Sequence, residues 1–437
     1  MDKISEPSRR TPVLAKVDVA VAGGGPAGFT AAIAAARNGA KVMLIEQENF
    51  IGGLLTCLPI LGFYNYRGEQ VIFGLAQELV DRLMAVGACP GHVVDPRLTS
   101  VTVTDTEMTK VVTQEMVLEA GVQPLFHTVV AEPILEGNTV KGLIIENKSG
   151  RQAILADVVV DATGDGDVAA RAGAPFELKD REHQQPGNLM FRMDNVNVDK
   201  IRLAVAENPD NARTVAGFGV GAEYYLKAKR FVLDGFVQQL EAARAAGDIP
   251  EDYPMRWVII VTQPREDEVA INMAMATHFQ SIDGVDLTKA EMEGRRRIPV
   301  IVNFLRKYVP GFERSHLIAS HNIMGVRESR RIMGDYVLQP QDVQEGRQFE
   351  DGIAIASWGL SLGHHPQGKV WDKEYYTTKY PRAGLPGCEV PYRCLLPKGI
   401  EGLLTTGRCI SVTAESQNAI RVMAPCMALG QAAGTAA

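Results

Sequence analysis

The chain has 437 residues, 45 Lys and Arg against 52 Asp and Glu, a net charge of −7 and 46% apolar residues. This suits a sizeable core divided over two or three domains, excludes global disorder, and gives no electrostatic reason to expect nucleic acid as a partner. No apolar run approaches the roughly 20 residues that span a bilayer, and the opening MDKISEPSRR lacks an apolar signal core, so a cytoplasmic protein with a polar tail and no membrane span is expected.

Val17–Ala22 reads as a short buried strand, followed by Gly23-Gly24-Gly25-Pro26-Ala27-Gly28, which fits G-x-G-x-x-G. A helix of small residues from Ala27 to about Asn38 comes next, with Gly39 placed to stop it as a C′ residue. A second strand, Lys41–Ile45, ends at Glu46. Each part has a task in binding a dinucleotide. Gly23 permits the tight turn, Gly25 lets the backbone approach a pyrophosphate, and Gly28 lets helix pack on sheet. The helix N-terminus offers free N–H groups and partial positive charge to phosphates. Glu46 stands 18 positions after Gly28, near the usual ~20, where a carboxylate accepts from ribose hydroxyls and repels a 2′-phosphate. NADP is therefore not expected here.

Phe50-Ile51-Gly52-Gly53-Leu54-Leu55-Thr56 follows the acid. Its glycine pair suggests backbone running close to a long, flat ligand. Extended segments Gln123–Ala131, Val140–Glu146 and Gln152–Val160, separated by Glu136-Gly137-Asn138 and Lys148-Ser149-Gly150, predict a three-stranded antiparallel meander. It leads into a buried strand, Val158–Asp161, and a second glycine turn, Ala162-Thr163-Gly164-Asp165-Gly166-Asp167. The aspartates lack EF-hand spacing, with Ala172 where a bidentate Glu would stand, so no metal is expected. Near the C-terminus, Leu403–Thr406 reads as a strand ending in Gly407-Arg408. Asn418-Ala419-Ile420-Arg421 then opens a helix that runs through Gly430 and Gly434 to the end. None of the six cysteines forms CxxC or an iron–sulfur pattern, so scattered reduced thiols are expected.

Together with Gly325-Val326-Arg327-Glu328-Ser329-Arg330-Arg331 and Pro391–Pro397, these motifs run in order over nearly the whole chain. They resemble the FAD-dependent oxidoreductases that carry a glutathione-reductase-type FAD domain, in the branch that includes fumarate-reductase-like flavoproteins. The resemblance implies an α/β fold: a Rossmann-like FAD-binding domain with a three-stranded β-meander, plus an α+β substrate domain. The implied boundaries are 13–60, 98–175 and 396–437 for the discontinuous FAD domain, and 61–97 with 176–395 for the substrate or cap domain. Non-covalent FAD is implied. Gly23, Gly25, Pro26, Ala27, Gly28, Glu46 and Gln47 would hold its ADP half, with Val130 beside them. Gly52, Gly53, Leu54 and Thr56 would run along the flavin. Ala162, Thr163, Gly164 and Asp165 would line the pyrophosphate side. Gly407, Arg408, Asn418, Ala419 and Ile420 would cover the isoalloxazine, with a helix N-terminus near N1 and C2=O. Leu55 stands roughly where some fumarate-reductase relatives carry a flavin-linking His, and a Cys57 linkage is not expected.

The chain shows no second G-x-G-x-x-G in its middle and no redox-active Cys pair, so disulfide reduction driven by NADPH is not expected. The resemblance implies an oxidoreductase passing a hydride between a small organic molecule (an alcohol, an amine or an activated C–H) and flavin N5. The electron acceptor would be oxygen, a quinone or a carrier protein, and a homo-oligomer is possible. Two other readings stay open: an electron-transfer subunit like the flavoprotein of heterodisulfide reductases, and a protein of the flavin-dependent tRNA-modifying type. Candidate catalytic residues are His364 and His365, as a base near neutral pKa, Tyr64 beside Asn65 in the loop after GGLLT, and Arg327 as an anion or flavin contact in a plausibly helical stretch. For the histidines the alternative is a surface or structural role, since Ser361 or Leu362 stands where relatives carry the Asp of an Asp-x-His element. For Arg327, Arg330 and Arg331 it is a helix laced with ion pairs. Tyr392 and Arg393 are candidates for the cavity wall, and Arg295-Arg296-Arg297 reads as a solvated charge run.

Overall fold

The computed structural model describes residues 4–95, 99–212, 222–360 and 384–437. The principal strands and helices of the first layer are β1 (Val13–Ala22), α1 (Pro26–Arg37), β2 (Val42–Ile45), α2 (Thr106–Glu119), β3 (Gln123–Leu125), β4 (Val129–Glu136), β5 (Thr139–Asn147) and β6 (Gly150–Asp161). A seven-stranded sheet takes the order β3-β2-β1-β6-β5-β4, and a C-terminal strand, Leu403–Thr405, pairs in parallel with the end of β6. The strands β3, β2, β1, the second half of β6 and Leu403–Thr405 run parallel; β4, β5 and the start of β6 run antiparallel. The segment 123–131, expected as one strand, is split. Residues 123–125 pair in parallel with β2, and the chain turns at Phe126–Thr128, where the Thr128 N–H bonds the Glu46 carbonyl, before β4 begins.

The parallel strands read as continuous apolar runs because both faces are covered. On one side lie α1, α2 and the last helix, and on the other the residues around Ala169 and Ile332. Gly39 (φ +100°) ends α1, its N–H and that of Ala40 closing on Ala36 and Ala35 carbonyls. The helix Leu75–Ala85, which the sequence assigned to the substrate side, packs its Leu75, Leu79 and Leu83 into this same first core.

A second core sits around a five-stranded antiparallel sheet: Phe191–Asp194 (β7), Val232–Gly235 (β8), Val258–Thr262 (β9), Val269–Ile271 (β10) and His316–Ser320 (β11). The long helix α3 (Gly284–Tyr308) covers it through Ile298, Ile301, Phe304 and Leu305, and its outer face carries Arg295 and Arg296, paired with Glu291 and Glu293. The triple-arginine run is thus a helical surface crossed by i,i+3 and i,i+4 pairs.

The C-terminal segment departs from expectation in one respect. The helix expected from Asn418 to the end is two helices, α4 (Gln417–Ile420) and α5 (Met423–Ala436), separated at Arg421-Val422, where Val422 is extended. Pro425 is the cause: its ring would clash with the Arg421 carbonyl in a continuous helix, and it has no N–H to close the turn. Past that break, α5 lies against α1 with almost no side-chain spacing. A Cβ on Gly430 would sit 2.0 Å from the Ala27 carbonyl oxygen and one on Gly434 1.9 Å from that of Ala31. Thr30 Oγ1 donates across the contact to the Met427 carbonyl at 2.8 Å. Gly430→Ala should therefore destabilise the protein by about 1–3 kcal/mol or more through overpacking, read as a lowered urea midpoint. Gly284→Ala, where a Cβ meets nothing within 4 Å, should leave the midpoint unchanged or raise it.

Candidate functional site

The glycine turn after β1 is built as its sequence requires. Gly23 has φ +97°, and a Cβ there would lie 2.6 Å from the Ala162 carbonyl oxygen; one on Gly28 would collide with the Gly23 carbonyl at 1.7 Å. Gly25 is different: a Cβ at this position points into open space, with nothing within 4 Å. No side chain caps the α1 N-terminus and its first turn holds no acid, so its N–H groups face that space free to bind an anion. Glu46 is buried and fixed by two backbone donors, Gly24 N at 2.6 Å and Glu48 N at 2.8 Å. Burial pushes its carboxyl above the usual range, and these donors oppose the shift. Each oxygen keeps a lone pair for a further donor. Gln47 beside it is exposed, and Val130 stands at the start of β4 with its carbonyl bonded by Arg171.

The Gly-Gly segment arrives directly on this turn. Gly52 N donates to the Gly24 carbonyl at 2.8 Å, and a Cβ on Gly53 would approach Gly25 Cα to 3.0 Å. Residues Gly53–Thr56 form a single 3-10 turn, Leu54 partly buried and Thr56 Oγ1 closing on the Gly53 carbonyl. The second glycine turn follows β6, next to the first. Asp161 is fully buried; its carboxylate accepts from Thr163 N, Thr163 Oγ1 and Ala169 N, and burial pushes its pKa up. It shapes the turn. Gly164 and Asp165 then meet the C-terminal segment: Arg408 donates from Nη2 to Asp165 Oδ1 at 2.8 Å and from Nη1 to Ser329 Oγ at 2.7 Å. Gly407 completes the ring, since a Cβ there would meet Ala27 Cβ at 3.0 Å.

Three stretches far apart in sequence thus enclose one space at the C-terminal ends of parallel strands, where open α/β sheets bind their ligands. Several polar atoms of the C-terminal segment are buried and have no hydrogen-bond partner among the described residues: Thr406 Oγ1, Gln417 Oε1 and Arg421 Nε. The α5 N-terminus also lacks a side-chain cap and an acid in its first turn. Open space above Gly25, uncapped helix termini and orphaned donors and acceptors together fit a dinucleotide carrying a polar ring at its other end. Asn418, Ala419 and Ile420 lie in α4 and are buried, with Asn418 Nδ2 bound to the Gly359 carbonyl at 2.9 Å. A separate cleft of about 460 Å³, lined by Val158, Gly402 and Leu403, opens at the opposite ends of these strands.

The catalytic candidates fare unequally. His364 and His365 lie outside the described residues. Tyr64 is half-buried and packs edge-on against His92, with ring centroids 5.5 Å apart, while Asn65 holds its own loop through Glu69, Arg67 and the Pro386 carbonyl. Arg393 pairs with Asp351 at 2.9 Å. The stretch 324–330 is irregular backbone before a short strand, and not helical: Met324–Val326 is held by Asn188, and a Cβ on Gly325 would lie 2.9 Å from the Asn188 carbonyl oxygen. Its arginines part company. Arg330 pairs with Asp167 and Arg331 with Glu177, whereas among the described residues Arg327 bonds the Pro186 carbonyl and the Met275 sulfur.

Two residues escaped the sequence reading. Arg421, quoted only as part of a helix start, lines the break before α5. His321, at the end of β11, is buried beside the Cys57 backbone, and neither ring nitrogen has a hydrogen-bond partner among the described residues. No spacing rule marks a lone histidine at a strand end. Burial pushes its pKa from 6.5 down to about 3. The unfolded chain then binds a proton below 6.5 that the folded chain refuses, so its stabilising contribution is complete above 6.5 and fades as pH falls toward 3. Urea midpoints followed from pH 7 to pH 4 should fall less steeply in His321→Gln than in the native protein; parallel curves would refute this.

Residues 18–437 match the family model described as FAD dependent oxidoreductase. Among curated proteins, a 166-residue stretch is 34% identical to the thiamine thiazole synthase of Aeropyrum pernix, covering 35% of this chain and 57% of that protein. A 37-residue stretch is 65% identical to the fumarate reductase (cytochrome) of Shewanella frigidimarina, covering 8% and 6%. The chain thus spans little more than half of the first relative and a small part of the second. Among solved structures, a geranylgeranyl bacteriochlorophyll reductase-like protein from Thermoplasma acidophilum aligns over 72% of this chain and 67% of its own, at 16% identity and a TM-score of 0.42. The p-nitrophenol 4-monooxygenase of Pseudomonas putida aligns over 70% and 67%, at 13% identity and a TM-score of 0.42. With the family matched over nearly its full length, the chain belongs to the FAD-dependent oxidoreductases, and FAD is its cofactor.

Proposed function

We propose that this flavoenzyme moves a hydride between a carbon of a small organic substrate and FAD held non-covalently across the three converging segments. The observation that supports the reading is the packing of the two glycine turns and Gly407 against one another, through Gly23 on Ala162, Arg408 on Asp165 and Gly407 on Ala27, with the α5 N-terminus uncapped. FAD supplies the hydride-accepting centre. The protein supplies the rest. Gly23–Gly28 and the α1 N-terminus bind the pyrophosphate, and Glu46 accepts from the ribose, with Gln47 and Val130 nearby. Gly52–Thr56 runs along the cofactor, and Ala162–Asp165 with Arg408 closes the far side. The α5 N-terminus, with Asn418–Ile420 beneath it, stabilises the negative charge that reduction adds, by its partial positive charge and free N–H groups.

In this reading 13–60, 98–175 and 396–437 form the FAD unit, and 61–97 with 176–395 supply the substrate side, including Tyr64 and Arg327. An imidazole takes the substrate proton: His364 or His365. Six buried, free cysteines and the absence of a long apolar helix among the described residues are compatible with a cytoplasmic setting.

The purified protein should be yellow and release FAD, not FMN, on denaturation; a folded protein that refuses added FAD contradicts the proposal. Gly25→Val should fold but retain little FAD, because its side chain fills the pyrophosphate's space; full flavin content in that variant would refute the assignment. An anaerobic metabolite panel should include a compound that bleaches the flavin. Of the Gln variants at His364 and His365, one should slow that bleaching about 10²–10⁴-fold. Bleaching that appears only with an added electron-carrier protein would point to an electron-transfer subunit.

A further inference from the structure

Two stretches that adjoin the flavin-lining segments of the proposed site meet at one aromatic side chain. The strand Gly352–Ala356 leads into Ser357-Trp358-Gly359-Leu360, where Ala356 and Leu360 belong to the first core. Of residues 356–360, Ala356, Ser357, Gly359 and Leu360 are buried, and Trp358 alone stays partly exposed. The other stretch leaves the Gly53–Thr56 turn and runs through Ile60–Leu61 to Gly62, which is buried.

Trp358 is fixed from two directions. A Cβ on Gly62 would lie 2.7 Å from Trp358 Nε1 and 3.2 Å from its Cε2 and Cζ2, so the indole rests on bare backbone where any side chain would displace it. The next residue is pinned as well: Asn418 Nδ2 donates to the Gly359 carbonyl at 2.9 Å. Asn418 is buried, and its Oδ1 accepts from Arg421 Nη2 at 2.7 Å, so both ends of the amide hold protein groups. A buried polar group satisfied in this way rigidifies what it touches. Asn418 lies in α4, directly before α5. The indole thus bridges the chain leaving the Gly53–Thr56 turn and the helix pair at the C-terminus. An indole that only fills a core is covered on every side, whereas this one keeps part of its surface outside while its anchors are buried. That is the arrangement of a contact surface whose orientation is set before a ligand arrives.

We propose that Trp358 is the specificity-determining wall of the substrate site, held by Gly62 and Asn418 as positioning residues, and that the substrate is a planar aromatic or conjugated molecule stacked on this indole with its reacting carbon over the flavin. This rests on the hydride-transfer reading and names its substrate class. An offset-stacked aromatic pair gains attraction beyond the area it buries. A saturated ring of the same carbon count is puckered and thicker, so it meets a flat wall with fewer close contacts. Because the indole is already immobilised, binding costs little side-chain freedom.

The test uses the FAD-loaded full chain. Benzyl alcohol, benzylamine and benzamide are titrated against the flavin absorbance spectrum, each beside its cyclohexyl counterpart with the same polar group. At least one benzyl compound should perturb the spectrum saturably, and its counterpart should bind about tenfold more weakly or not at all. Trp358→Leu and Gly62→Ala should each keep native FAD content and lose that preference, the second by pushing the indole aside. Asn418→Ala should reduce the preference, and Arg295→Gln on the outer face of α3 should keep it in full. Should Trp358→Leu not fold, Trp358→Phe decides, since a smaller ring should retain the preference only in part. The proposal is overturned if no planar compound binds, if the cyclohexyl compounds bind equally well, or if the Trp358 and Gly62 variants keep the native preference. It is also overturned if the folded Trp358 variant loses FAD, since the indole would then belong to the cofactor. Flavin bleaching by saturated compounds alone would sink the aromatic wall and leave the hydride-transfer reading standing.

Discussion

The close approach of α1 and α5 governs the rest of the molecule. Two helices can touch backbone to backbone only where side chains vanish, and here Gly430 and Gly434 face the Ala27 and Ala31 carbonyls at distances no Cβ would tolerate. That contact draws the end of the chain across nearly 400 residues of sequence onto the first glycine turn. It places Gly407 against Ala27. Leu403–Thr405 then has no choice of partner: it extends the parallel sheet beside β6. The cofactor site is a product of helix packing as much as of the G-x-G-x-x-G turn.

Electrostatics explain why so much polar structure is tolerated there. Asp161 is held fully buried by three donors, and Asp165, Asp167 and Glu328 each sit opposite a cation. Those pairs are structural. They brace the second glycine turn against the 324–331 segment, so the wall of the site is made jointly by residues near 165, near 330 and near 408.

Much of this was legible in the sequence, for physical reasons that differ by element. The first βαβ unit could be read because three glycines and an acid have non-interchangeable steric and electrostatic jobs. The final strand and the small-residue helix could be read because alanine and glycine runs imply close packing. The Pro425 break was missed because a proline three residues into a new helix looks the same in sequence as one inside an old helix; only the extended Val422 separates them. The 324–331 arginines were read as helical because their spacing imitates i,i+4 pairing, whereas their true partners, Asp167, Glu177 and the Pro186 carbonyl, are set by tertiary contacts. His321 carried no local signal at all; its isolation is a property of what surrounds it.

The central claim is that three distant stretches form one FAD cradle. Hydrogen–deuterium exchange of the apoprotein with and without FAD tests it most directly. The account predicts that FAD slows exchange together in peptides covering 22–29, 161–167 and 406–424, all with the same dependence on FAD concentration. Slowing confined to 22–46, with the 406–424 peptide indifferent to FAD, would contradict it.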